Sequence, residues 1–192
     1  FVVNGNFNHF TRTTDNVAQV IDEFEQPVSS FETNAGNNDH ISNIFANINF
    51  KHSFDSTGRE LTTDLDYGTF NSNSLSYNST SYFNNDGSQL QDDYKLDGDQ
   101  EGKLILKTVK ADYVHPLKNK SKFEAGGKIS FVSSDNDAKF YDVSTGVPVN
   151  DINKTNHFYY KENNNAAYIN FSKTHKKFDW QHQLRSNGEG GS

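Results

Sequence analysis

The sequence has no cysteine and no methionine, one tryptophan and three prolines in 192 residues. Without cysteine there is no disulfide framework, no thiolate metal site and no thiolate nucleophile. No stretch approaches the ~18 consecutive apolar residues of a membrane-spanning helix. No basic segment followed by an apolar core opens the chain, so no leader is expected within it, and Phe1 reads as the start of an excised piece. A net charge of −7 offers no basic footprint for nucleic-acid phosphates. The strong helix formers are scarce: 9 Leu and 8 Ala stand against 16 Phe and 9 Tyr. Aromatic residues favour strands. The expectation is an ordered all-β chain in which half of the strand positions are polar.

Three short polar turns stand at 55–60, 115–120 and 173–177, flanked on both sides by alternating apolar and polar residues. Period two is the mark of a strand with unlike faces. Before the first turn the apolar positions are even: Ile44, Ala46, Ile48, Phe50 and Phe54. After it they are odd: Leu61, Leu65, Tyr67, Leu75, Tyr77 and Phe83. The second hairpin sets Val109, Ala111 and Tyr113, then Phe123, Ala125, Ile129 and Phe131, against Lys110, Asp112, Lys122, Glu124 and Lys128. The third sets Ala167, Ile169 and Phe171, then Phe178, Trp180 and Leu184, against Glu162, Asn164 and Asn170. Val17, Val20, Ile21 and Phe24 have helical spacing, but their neighbours indicate a strand extension or a loop.

Between the strands lie polar connections at about 13–40, 84–102 and 135–156. Short turns alternating with long loops, and one apolar face opposite one polar face, describe a transmembrane β-barrel. The fold expected is an all-β antiparallel meander of about seven long strands, with short periplasmic turns and long extracellular loops. Phe54, Tyr113, Phe123, Phe171 and Phe178 lie on the apolar face beside the short turns, as a lipid-facing aromatic girdle does. Asp64, Asp66, Lys110, Asp112, Glu124 and Glu162 lie on the opposite face, which would line a lumen, with Lys107, Lys110 and Lys128 bridging its carboxylates.

Catalytic and metal chemistry find little support. The seven histidines (His9, His40, His52, His115, His157, His175 and His182) include no pair at ligand spacing. Asp97, Asp99 and Glu101 place oxygen ligands at every second position and are candidate calcium ligands, but the complete calcium loop is absent. Asp64 and Glu162 are the carboxylates a glycosidase reading would use. No nucleophile-elbow, phosphate-loop or dinucleotide motif is present. Lys118, Lys120, Lys122, Lys173, Lys176 and Lys177 gather at the short turns, where they serve solubility or meet anionic headgroups.

The segments ELTTDLDY (60–67), KADYVHPL (110–117) and FYYKENNNAAY (158–168) resemble the outer-membrane β-barrel family of TonB-dependent-receptor-like proteins. There an A-D-Y-x-H-P-L strand enters a periplasmic turn and is followed by a strand like FEAGGKIS (123–130). The resemblance spans about 40–185, with 1–39 as a leading hairpin. It implies a non-enzymatic, cofactor-free segment, 1–185, of an outer-membrane receptor and transporter of a Gram-negative bacterium. The partners implied are outer-membrane lipid, a plug domain, TonB, and a small-molecule or glycan ligand. Residues 186–192 read as a flexible tail or linker. Free strand edges would allow self-association. The alternative is a secreted soluble β-sandwich that binds carbohydrate or mediates adhesion.

Overall fold

A strand alternates apolar and polar side chains when its two faces meet different surroundings. The computed structural model, which describes residues 1–174 and 179–191, turns that alternation into one continuous sheet. Its strands are β1 (Val2–Ile21), β2 (Pro27–Ser53), β3 (Glu60–Asn84), β4 (Gln89–Leu117), β5 (Ser121–Asp142), β6 (Val149–Asn150), β7 (Asn156–Thr174) and β8 (Asp179–Gly191). The order across the sheet is β1-β2-β3-β4-β5-β7-β8, and β6 pairs with the far end of β5. Every pairing is antiparallel. The chain is therefore the expected all-β meander, with no helix among the described residues. Residues 17–21 end β1 as a strand extension.

The short connections expected near 55–60 and 115–120 are found, between β2 and β3 and between β4 and β5. The third joins β7 to β8, and its residues 175–178 lie outside the described residues. The long loops are a correction. Most of 13–40, 84–102 and 135–156 is strand, and only 22–26, 85–88 and 143–155 remain as connections, the last containing β6. β1 and β2 stay paired from Thr13↔Gly36 to Ile21↔Pro27, and β4 and β5 as far as Leu96↔Asp142. A ladder hydrogen bond needs no apolar side chain, so a strand can continue with polar residues on both faces. The 25 residues of β3 therefore reach roughly 80 Å, well beyond a ~30 Å hydrocarbon layer. The stretch 186–192 is likewise corrected: β8 runs through it to Gly191, which pairs with Glu162.

The described strands all lie in this one sheet, and no second layer of described residues packs against either of its faces. Among the described residues no apolar side chain is buried; the buried polar ones are Thr108, Ser130 and Asn170. β1 and β8 are the edges, each paired on one side only, and six antiparallel steps make them run in the same direction.

Local chemistry closes the turns and tightens the ladder. At the β3–β4 turn Gly87 takes a φ of 83°, a left-handed conformation that glycine adopts without a Cβ clash. The Asp86 carboxylate accepts hydrogen bonds from the Ser88 hydroxyl at 2.6 Å and the Ser88 N–H at 2.9 Å. Those bonds, the hydroxyl's first, hold the Asp86 carboxyl below its ordinary range. On the polar face Gly126 leaves room for the Tyr168 ring: a Cβ there would stand 2.4 Å from both Tyr168 Cε1 and Asp112 Oδ1. At Gly127, on the other face, a Cβ would meet only the Ala166 carbonyl at 3.6 Å.

Two outcomes follow. Because the Asp86 pKa is lowered on folding, the turn's contribution is present at neutral pH. It is lost as pH falls below ~4 and through the lowered value, seen as faster amide exchange at Ser88. Gly126→Ala destabilises the sheet by about 1–3 kcal/mol in denaturant titrations, whereas Gly127→Ala is neutral or slightly stabilising.

Candidate functional site

Register lines the apolar side chains of neighbouring strands into rows. Ile48, Leu65, Val109 and Ile129 are successive partners on β2, β3, β4 and β5. Leu65, Val109 and Ile129 expose 43%, 47% and 46% of their surface, so the centre of this row is uncovered by the chain itself. Toward the short turns follow Leu61, Tyr113, Ala125 and Ile169, and then Phe123 beside Phe171. On β5 the apolar band runs from Phe123 to Phe131, matching the ~9–11 residues with which a tilted strand crosses a bilayer. Lys107 lies in this face, opposite Tyr67 and Phe131, not among the lumen-side charges expected of it.

Beyond the band the same face turns polar. Ser42, Asn71, Lys103 and Asp135 form one row. His9, His40, Asn73, Glu101, Asp137 and His157 form the next.

The aromatic residues expected beside the short turns stand near one another in pairs where they are described. The Phe54 ring meets Tyr113 edge-on, centroids 6.1 Å apart, and the Arg59 guanidinium lies 5.2 Å from the Phe54 centroid. Phe123 and Phe171 are direct cross-strand partners. Phe178 lies outside the described residues. Two members went unrecognised in the sequence. His52 meets Phe54 edge-on at 4.7 Å, and the Tyr113 hydroxyl is 2.9 Å from His115 Nδ1. Parity was the available signal: His52 alternates in step with Phe50 and Phe54, and His115 with Tyr113. An imidazole has the apolar body and polar tip that suit a membrane–water boundary.

The opposite face carries Asp64, Asp66, Lys110, Asp112, Glu124 and Glu162 together. Asn49 and Asn47 donate to Asp64 and Asp66, each at 2.7 Å. Lys110 pairs with Asp112 at 2.6 Å, and Asp112 accepts from the Tyr168 hydroxyl at 2.7 Å. Lys122 pairs with Glu124 at 2.8 Å, and Glu124 also accepts from Asn170 at 2.7 Å. Glu162 accepts from the Tyr160 hydroxyl at 2.6 Å and from Asn164. Among these contacts the buried pair is Thr108 with Ser130, hydroxyls 3.0 Å apart.

The other expected chemistry does not assemble. Asp97, Asp99 and Glu101 sit in β4 rather than in a loop. Alternate residues of a strand are ~6.8 Å apart, too far for three carboxylates to converge on one calcium ion. Among the described residues no group of three or more His, Asp or Glu could hold a metal. Asp64 and Glu162 share a face, but β4 and β5 lie between their strands. Three strand spacings alone exceed ~14 Å, against the ~5–10 Å of paired glycosidase carboxylates.

The buried hydroxyl pair offers a stability test. Thr108→Val or Ser130→Ala alone strands one hydroxyl and costs about 1–3 kcal/mol, while the double variant costs less than the sum. Equilibrium unfolding of the four proteins in one detergent reads this coupling.

No curated relative matches the chain. A family model described as the outer membrane protein beta-barrel family matches residues 52–186, from the end of β2 into β8. With its exposed apolar band, its polar opposite face and that match over most of its length, the chain belongs to the outer membrane protein beta-barrel family, and it is an outer-membrane protein.

Proposed function

We propose that this sheet is part of the wall of a receptor and transporter in the outer membrane of a Gram-negative bacterium, taking up a nutrient or chelate with energy delivered through TonB. The observation that supports it best is the inverted packing: the apolar side chains stand outside and the buried ones are polar. In water such a surface has no favourable cover; in a bilayer, lipid provides it. The polar face then borders a lumen occupied by a plug domain. The strand extensions beyond the band meet the outside and carry recognition of a small molecule or glycan. The mechanism is binding and gated passage, without covalent chemistry or a cofactor. The resemblance of 110–117 and its neighbours supports the TonB-dependent class within the family.

A soluble binding sandwich is disfavoured. It requires two sheets packed through their apolar faces, whereas the described residues form one sheet with no buried apolar side chain. The free edges also need partners, because an unpaired backbone group in hydrocarbon costs several kcal/mol. Since β1 and β8 run the same way, antiparallel closure takes an odd number of further strands.

Two measurements test the two levels of this reading. In bilayers, Ile129→Arg at mid-band destabilises folding by about 2–4 kcal/mol, and Asn71→Arg beyond the band by about 0–1 kcal/mol. Equal losses would remove the lipid-facing assignment. In cells carrying the whole protein, chelate uptake that stops when TonB is deleted is the expected result; passage that persists without TonB overturns the energised-uptake reading and leaves a passive pore.

A further inference from the structure

Sequence spacing separates His9 from His40, but the β1–β2 register sets them directly opposite each other. Their imidazoles are nearly parallel, with planes 10° apart and centroids 4.2 Å apart. Both residues are exposed. The Asn38 carboxamide oxygen lies 2.6 Å from His9 Nε2, and Asn73 stands across from His40 on β3. Two ring-nitrogen donors on a stiff ladder are thus already gathered, with the Asn38 carboxamide oxygen beside one of them and Asn73 at the next position of the row.

We propose that His9 and His40 form a two-imidazole chelate for a divalent d-block cation, completed by the carboxamide oxygen of Asn38 or Asn73 and by water. Donor type selects the metal. Imidazole suits copper, nickel and zinc, whereas calcium and magnesium take oxygen ligands. With no thiolate in the chain, the order of affinity places Cu²⁺ ahead of Ni²⁺ and Zn²⁺. Directly opposed strand residues hold their Cβ atoms ~4.5–5.5 Å apart, so modest side-chain rotation turns both rings onto one ion. Glu101 continues the row on β4 and adds negative potential that favours a cation. The site stands on the β1–β2 register and is independent of whether the protein is energised through TonB. Because it exists only when that register is formed, the bound ion clips the edge strand β1 to β2.

The test is a Cu²⁺ titration of the whole chain folded in detergent micelles, read by calorimetry and by nitrogen hyperfine structure in the EPR spectrum. The expected result is one ion per chain with two coupled nitrogens. His9→Asn and His40→Asn each weaken binding about tenfold or more, and the double variant binds more weakly still but by less than the sum of the two losses, because each single variant already forfeits the chelate advantage. His157→Asn, in the same row but paired with Asp135 at 2.6 Å, leaves binding unchanged. A one-nitrogen spectrum of the unaltered chain, or losses that add between the two variants, overturns the chelate. The spectrum keeps the test decisive if a variant fails to fold.

Discussion

Backbone hydrogen bonding across strands is the interaction on which the rest of this structure rests. β2 is paired with β3 residue for residue from Ser29 to Ser53, and β4 with β5 from Leu96 to Leu117. No second layer of described residues presses on the sheet, so its order does not come from a core. A membrane strand must satisfy its peptide groups within the protein, and the ladder does this wherever a neighbour exists. Side chains are then released from filling an interior. They need only match what lies outside each face, which is why 32% hydrophobic residues suffice.

That division of labour decides what could be read from the residues. Where one face is apolar, alternation reports the strand. Ile44 to Phe50, Leu61 to Tyr67 and Phe123 to Phe131 announced their strands and their shared face, and the turns between them. Where both faces are polar, alternation is silent although the ladder continues. Residues 29–40 and 135–142 carry mostly Asn, Ser, Asp and other polar residues on either side and still pair with β3 and β4 without a break. Their loop-like composition reflects surroundings that are wet on both sides, not a loss of regular structure.

Contacts between strands were the second illegible layer. The face assigned to Asp64, Lys110 and Glu124 followed from parity, but their partners depend on register, which links positions far apart in the chain. Asp112 with Tyr168, and Thr108 with Ser130, are joined only after β4, β5 and β7 align. Gly126 illustrates the same dependence. In the sequence it is one of two adjacent glycines; in the sheet it is the gap into which the Tyr168 ring settles, while Gly127 faces the other way.

The common direction of β1 and β8 has a symmetry consequence. Two copies standing the same way up can meet only β1 against β8, giving a parallel seam in an otherwise antiparallel wall. Two copies related by a two-fold axis can join β1 to β1 antiparallel, but one is then upside down. Its apolar band, which lies toward the short-turn end, would sit at the wrong depth. A ring of identical sheets therefore carries either mismatched seams or mismatched depths, and a barrel free of both is asymmetric around its circumference, closed by strands unlike these seven.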